Sequence, residues 1–430
     1  MRTDDVPGAG ALAKIIRDGY RSFQPSIALR LWTGERLGPE TGPVIVLKDP
    51  TALANLAFRP NIGMLVELWM DKAIDLEDGT LFDLARVKSR VKTKVALKEL
   101  SKWQVARALP ALYRLKRHGK TVTAPPADGA GRSGSTREAI QYHYDVSNDF
   151  YRLFLDQRML YSCAYFDGWH DDLEKAQHDK LDMICRKLRL QPGERLLDIG
   201  SGWGALLIHA VQNYDVIGHG VTLSQAQYDL AVERIAAAGL SNRITIELKP
   251  FQELTGVFDK ISSIGMFEHV GFAHHDEYFG AVHSLLKPGG LYLHHAITRP
   301  AKKSLRKFHR KSAEYRAITR YIFPGGELDF IGHSLQKLEA YGFEVHDVEG
   351  WREHYARTLT LWAHRLYANF DAAVAMIGEP RARLWIAYLV GCAISFERGD
   401  ALIQQTLASR KVKGPSKVPP TRRDLYAPRD

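Results

Sequence analysis

At 430 residues, 45% hydrophobic and 25% charged, the chain is long enough for two or three domains, which excludes a disordered, collagen-like or disulfide-stapled protein. Cys163, Cys185 and Cys392 form an odd set without a CxxC pair, so no disulfide framework or structural zinc site is indicated and a reducing cytoplasm is expected. Lys and Arg exceed Asp and Glu by 59 to 49, the opening MRTDDVPGAG is acidic where a signal peptide is basic, and no run approaches the ~18 apolar residues of a membrane span.

The first elements are short. Residues 27–32 and 43–47 read as strands and 50–57, 62–70 and 80–85 as helices, so 1–120 predicts a small α+β accessory domain. It ends in a basic helix, 86–120, with twelve lysines and arginines against one acid, Glu99. A second basic run spans 299–320, answered only by Glu314. One such run is equally well a solvated helix face; two point to an anionic partner, either nucleic acid or acidic phospholipid headgroups. The stretch 121–137, TVTAPPADGAGRSGSTR, reads as a flexible linker, and 411–430 as a basic, Pro-containing extended tail.

Between them, 138–410 alternates strand and helix in the manner of a doubly wound α/β sheet. Strands are predicted at 195–199, 216–221, 244–248, 258–264, 291–297 and 343–348, with a last strand-like run at 402–407. Helices are predicted at 173–188, 205–212, 225–238, 276–286, 355–370 and 380–396, and Lys287-Pro-Gly-Gly290 reads as a turn. The first strand runs into Asp198-Ile-Gly200-Ser-Gly202-Trp203-Gly204, glycines that let backbone approach a ligand at the strand's carboxyl end. A dinucleotide site needs GxGxxG and an acid after the second strand; here the third glycine is early and no acid follows. The turn resembles that of the class I (Rossmann-like) S-adenosylmethionine methyltransferases. With no acid available for the ribose, Thr222, Ser224 and Gln227 are the polar groups at hand.

Six segments then combine in order: His143-Tyr-Asp-Val-Ser-Asn148, Tyr161-Ser-Cys-Ala-Tyr165, Thr222-Leu-Ser-Gln-Ala-Gln227, Gly265-Met-Phe-Glu-His269, Tyr321-Ile-Phe-Pro-Gly-Gly326 and His354-Tyr-Ala-Arg-Thr-Leu359. Together they resemble the cyclopropane-fatty-acyl-phospholipid synthases and the related mycolic acid cyclopropane synthases. More loosely, Asn61-Ile-Gly-Met64 and Glu67-Leu-Trp-Met-Asp71 resemble that family's lipid-contacting accessory domain.

The resemblance implies methyl transfer from S-adenosylmethionine to the cis double bond of an unsaturated phospholipid acyl chain. The carbocation so formed loses a proton from the new methyl to a bound bicarbonate ion, in a site that keeps water away. Carried over, the bicarbonate cage is Cys163, Glu268, His295, Ile297 and Tyr355, with Phe267 and Tyr165 as aromatic faces for the cation. The cofactor contacts are Tyr161, Ser162, Asp198, Gly200, Gly202, Trp203, Gly204, Thr222, Ser224, Gln225, Gln227, Phe251 and Gln252. Cys392 matches a cysteine to which a catalytic part has been attached, although its apolar helix favours an inert packed thiol. The pairs Glu268-His269, His274-His275 and His294-His295 lack HExxH spacing, so no metal is predicted.

The chain departs from the pattern at Glu327-Leu-Asp-Phe330, where relatives carry a Leu-Pro pair, which leaves open a methylene- or methyl-branched product instead of a cyclopropane. A nucleic-acid methyltransferase has basicity in its favour but no RNA-binding module. A non-catalytic lipid carrier would not need the glycine turn together with Glu268, Cys163, His295 and Tyr355. The expectation is a cytoplasmic enzyme, peripheral at the inner membrane surface, with no nucleic-acid partner; the family also admits homodimers.

Overall fold

The computed structural model describes residues 9–23, 26–58, 61–86, 110, 112–113, 147–310, 315, 326–416 and 418–427. The predicted basic helix 86–120 (all but four residues), the linker 121–137, His143 to Val146 of the first motif and most of 321–326 lie outside that set. The chain forms two compact units, one of residues 1–126, 312–317 and 377–390, the other of 127–311, 318–376 and 391–430. Two late segments, expected within 138–410, thus return to the first unit.

In the first unit, α1 (Ala9–Phe23) precedes a four-stranded sheet of order β2-β1-β3-β4, with β1 Ala28–Arg30, β2 Arg36–Leu37, β3 Val44–Leu47 and β4 Ile74–Glu77. The helix α1 was not anticipated, yet Ala9, Leu12, Ala13 and Ile16 have helical spacing, and Ala13 and Ile16 pack on Leu31, Leu37 and Leu47. Helices α2 (Pro50–Phe58), α3 (Ile62–Met70) and α4 (Leu81–Arg86) complete it. The Asn61 side chain caps α3 by accepting from the Met64 amide. Arg383, from the segment 377–390, lies 3.8 Å over the Trp69 ring and donates to Trp69 O at 2.6 Å and to Asp75 at 3.0 Å.

The second unit holds β5 (Arg195–Ile199), β6 (Ile217–Thr222), β7 (Ile244–Leu248), β8 (Phe258–Ile264), β9 (Leu286–Thr298), β10 (Phe343–Gly350) and β11 (Leu402–Arg410). Their order is β10-β11-β9-β8-β5-β6-β7. Strands β5 to β9 run parallel, while β11 is antiparallel to both β9 and β10. Helices cover both faces. On one, Leu181 and Ile184 of α5 (Leu173–Leu188) and Leu206 of α6 (Ala205–Tyr214) pack with Leu291 and Leu293. The same core takes Ala231 and Ile235 of α7 (Gln225–Ala237). On the other, Tyr278 and Phe279 of α8 (His275–Leu285) and Leu338 of α9 (Ile331–Ala340) pack with Tyr292 and Ala296. This is the expected doubly wound sheet. Because β5 pairs with both β6 and β8, the strand order reverses there and opens a crevice at its carboxyl end. Helices α10 (Arg352–Ala368) and α11 (Phe370–Ile377) follow, and then α12 (Glu379–Arg398), of which 379–390 belong to the first unit and 391–398 to the second.

Two local expectations change. Lys287 to Gly290 is not a turn but the start of β9, with an irregularity opposite between Phe258 and Lys260. A Cβ at Gly290 would sit 2.6 Å from Asp259 O, so only glycine lets the strands meet. The tail is not simply extended: Leu425 is buried, and Arg186 of α5 donates to Leu425 O and Ala427 O while Arg189 pairs with Asp424 at 2.9 Å. No helix among the described residues is long and apolar enough to cross a membrane.

Candidate active site

Beyond the end of β5, Gly200, Gly202 and Gly204 take φ of +80°, +54° and +80°, the left-handed region that glycine enters without a Cβ clash. A Cβ on Gly202 would meet nothing within 4 Å, because the turn faces a cavity of about 500 Å³, within the range of small-molecule sites. Of the predicted cofactor residues, Tyr161, Ser162, Asp198, Gly200, Gly202 and Trp203 line it. Thr222, Gln227, Phe251 and Gln252 line it too. Gly204, Ser224 and Gln225 do not. Gly204 starts α6, Ser224 caps α7 by accepting from the Gln227 amide, and Gln225 turns outward to Asp229.

Hydrogen bonds fix the wall. Thr222 Oγ1 donates to Gln227 Oε1 at 2.8 Å, which leaves the Gln227 amide nitrogen to face a ligand. Trp203 Nε1 donates to Asn148 Oδ1 at 2.8 Å and its ring meets Tyr151 edge-on, so Asn148, the last residue of the first motif, helps hold Trp203. Asp198 is buried and held by Ser262 Oγ at 2.8 Å; burial pushes its carboxyl up to about 6, opposed by Ser262 and Lys180. Lys180 also lines the cavity and was missed. It donates to Ser162 Oγ at 2.8 Å, and burial pulls it down to about 8 against the pull of Asp156, Cys163 and Asp198. Its signal was legible: Ala176, Lys180 and Ile184 share the apolar stripe of α5, where a lysine needs a reason. His269, His274 and Glu277 also line the cavity, and no spacing rule marked them.

The predicted cage residues gather elsewhere in the same unit, around Trp351 and the end of β9. Cys163 Sγ lies 3.8 Å from Trp351 O, which also accepts from the Tyr355 amide at 3.0 Å, and the His295 ring meets the Trp351 ring edge-on at 5.4 Å. Tyr355 is buried against Phe396 and Trp362. The Ile297 amide, on the strand that carries His295, donates to Glu268 Oε1 at 2.6 Å. Glu268 Oε2 and His295 Nε2 are buried with no hydrogen-bond partner among the described residues. Burial pushes Glu268 up to about 7 against the Ile297 hydrogen bond, and it pulls His295 well below the usual imidazole range, helped by Lys180 and Lys187.

The Cys163 thiol is raised well above its usual value by burial, so it is a donor and not a thiolate nucleophile. The Tyr161–Tyr165 motif and α10 lock together: Ala164 N–H donates to Thr358 Oγ1, Phe166 N–H to His354 Nδ1, and Tyr165 stacks on His354 at 5.0 Å. Phe267 sits in the core between His275 and His294. Cys392 is partly exposed on α12 and is not part of the cavity wall. One carboxylate was overlooked. Asp329, in the segment that departs from the family pattern, is buried and accepts from Ser334 Oγ at 2.6 Å. Burial and the nearby Glu268 push it up to about 7.

Fold and cavity define a class I S-adenosylmethionine-dependent methyltransferase. Residues 132–406 match the family model for mycolic acid cyclopropane synthetase, and the chain belongs to that family. It is 37% identical to the probable fatty acid methyltransferase of Pseudomonas putida, over 94% of this chain and 98% of that one. It is 39% identical to cyclopropane mycolic acid synthase 1 of Mycobacterium tuberculosis, over 62% of this chain and 94% of that one. The solved cyclopropane synthase MmaA2 of Mycobacterium tuberculosis superposes with TM-score 0.61 at 35% identity, covering 64% of this chain and 99% of that one. Mycolic acid cyclopropane synthase CmaA1 complexed with SAH and CTAB superposes with TM-score 0.60 at 37% identity, covering 64% and 99%.

Proposed function

We propose that the enzyme transfers a methyl group to the cis double bond of unsaturated phospholipid acyl chains and closes a cyclopropane ring. When bound, S-adenosylmethionine supplies the methyl and bicarbonate the base that takes a proton from it. The 500 Å³ cavity, with its open glycine turn and Thr222–Gln227 pair, suits the nucleoside of the first. The observation that carries the reading is Glu268: a buried carboxylate with one oxygen fixed by Ile297 N–H and the other unpaired suits the acidic hydrogen of a small anion. His295 and Tyr355 bring donors for that anion's oxygens, while the Cys163 thiol is turned to the carbonyls of Ala164 and Trp351. The dry surroundings protect a cation from water.

Two observations support phospholipid over a soluble substrate. Lys302, Lys303, Arg306, Lys307 and Arg310 are exposed around Leu305, itself 59% exposed, a basic surface with an apolar tip. The matched mycolic acid synthase finds almost its whole length in 62% of this chain and the family match begins at residue 132, so residues 1–131 are an addition, which on this reading helps present a different lipid. On this reading the enzyme is cytoplasmic and docks at the inner membrane surface. A second reading keeps the same methyl transfer but takes the proton from a neighbouring carbon, giving a branched chain; the full-length likeness to a probable fatty acid methyltransferase favours it. Mass spectrometry of lipids from a host lacking its own synthase, with and without this chain, separates the two by mass or fragmentation. Unmodified acyl chains would overturn both.

A further inference from the structure

We propose that Gln405 is a positioning residue which, held by Lys187 and Glu349, locks His295 with its proton on Nε2 and so makes it a donor toward the anionic base. The inference rests on the placement of His295 in the proposed site. It follows from counting donors and acceptors along one chain of contacts.

Lys187 is 2% exposed, pairs with Glu349, and its Nζ lies 2.6 Å from Gln405 Oε1. An ammonium has three donors and no acceptor, so the carboxamide facing it must present oxygen. That orientation turns Gln405 Nε2 toward His295, 2.8 Å from Nδ1. An NH₂ group only donates, so Nδ1 must accept and carry no proton. The ring is neutral in this buried setting, with Lys180, Lys187 and His294 all opposing its positive form. Its one proton therefore sits on Nε2, the atom with no partner among the described residues. Lys187 also lies 4.9 Å over the Trp351 ring, whose edge contact with His295 holds the imidazole plane. Burial pulls Lys187 below its usual value, and Glu349 opposes this, which keeps it a cation and a donor.

The consequence is a division of labour. With Nδ1 occupied and Nε2 protonated, His295 has no lone pair to offer, so it cannot be the group that takes the proton from the new methyl. It can only donate to the ion that does. Gln405 lies on β11 directly opposite His295 in the antiparallel register, and Lys187 follows Lys180 by two helical turns on the buried face of α5.

The test is the tautomer itself. Long-range proton–nitrogen correlation on histidine-labelled enzyme, with the His295 signals among the 17 histidines assigned by their loss in His295→Gln, should show a neutral ring protonated on Nε2. Gln405→Glu should move a proton to Nδ1, because a carboxylate accepts from both neighbours. Turnover should fall about 10- to 100-fold, the usual cost of losing such an outer partner. Calorimetric S-adenosylmethionine affinity should not change, since Gln405 is absent from the cavity wall. Should that variant fold poorly, Lys187→Met frees the amide to rotate and should give His295 signals from both tautomers. An Nδ1-protonated ring in the wild type, or Gln405→Glu with unaltered ring signals and turnover, overturns the lock. Wild-type turnover in His295→Gln would instead remove the proposed site and leave the tautomer assignment standing.

Discussion

The Ile297 amide donates to Glu268 Oε1 at 2.6 Å and leaves the buried Oε2 without a hydrogen-bond partner among the described residues. The pair joins the turn after β8 to the end of β9, so the sheet itself aims the free oxygen. Glu268→Gln keeps an acceptor for Ile297 but can no longer accept a hydrogen at the second position. Turnover should drop about 10²- to 10⁴-fold, the span expected for a lost acid–base partner, with S-adenosylmethionine affinity kept. Bicarbonate added to a depleted wild-type preparation should stimulate it. An active Glu268→Gln enzyme indifferent to bicarbonate would sink the mechanism.

The same carboxylate predicts a pH signature in stability. Its folded pKa is raised from 4.5 to about 7, so between those values the unfolded chain has released a proton that the folded one still holds. Stability tied to Glu268 is thus complete below about pH 4.5 and is lost as pH rises to about 7, by up to about 3 kcal/mol. Glu268→Gln should therefore melt higher than wild type at pH 8 and alike at pH 4.5. Parallel melting curves across that window would show that Glu268 is ionised throughout.

The glycine turn makes a prediction about binding alone. Valine at Gly202 would project into the open cavity and would hold a β-branched residue at φ +54°, at a cost of about 1–2 kcal/mol. The fold should survive, since no neighbouring atom is struck. Calorimetry should show S-adenosylmethionine affinity reduced by at least about tenfold, more than 1.4 kcal/mol. Unchanged affinity would place the nucleoside elsewhere.

What was legible in the sequence was what local pattern encodes. Strands β5, β7 and β8 fell at their predicted bounds because short apolar runs between helical stretches are unambiguous, and Asp198 to Gly204 marked the crevice. Glu268 came from the resemblance carried by Gly265-Met-Phe-Glu-His269. What was missed depends on partners far away in the chain. Lys187 meets Gln405 across 218 residues, and nothing in either neighbourhood announces the contact. Likewise Lys287 to Gly290 lies within β9 as an irregularity, because its flanks Leu286 and Leu291 pair with Phe258 and Lys260 of β8 while Gly289 keeps a turn-like φ of +74°. The tail reads as extended until Arg186 and Arg189 of α5 give it carbonyls and a carboxylate to hold.

Arg383 tests how the first unit is held together. Its guanidinium is 5% exposed, stacks on Trp69, and satisfies Trp69 O, Ile74 O and Asp75. Arg383→Met keeps the bulk but removes one of the two cations on Asp75, Lys48 remaining, and takes a donor from each of the Trp69 and Ile74 carbonyls, a loss of about 1–3 kcal/mol. Chemical denaturation should register this as an earlier first transition, with S-adenosylmethionine affinity unaffected because the cavity belongs to the second unit. A change below about 0.5 kcal/mol would mean that the pair is solvated surface.

The last prediction concerns membrane docking. Lys302, Lys303 and Arg306 are exposed beside Leu305, and each cation that reaches an anionic bilayer contributes about 1 kcal/mol, or about fivefold in affinity. Reversing all three to Glu should weaken co-sedimentation with acidic vesicles by at least about 100-fold and flatten its dependence on salt, since those charges carry part of the screening. The run 86–120 should behave in the same way when Lys88, Lys92 and Lys94 are reversed. Leu305→Ser should lower binding at every ionic strength without altering the salt slope, because an apolar insertion is not screened. Turnover on a detergent-dispersed substrate should persist in the two variants at 302–306, as none of those residues lines the cavity. Binding that ignores both charge reversals and salt would assign the basic runs to solvated surface and leave docking to apolar contact alone.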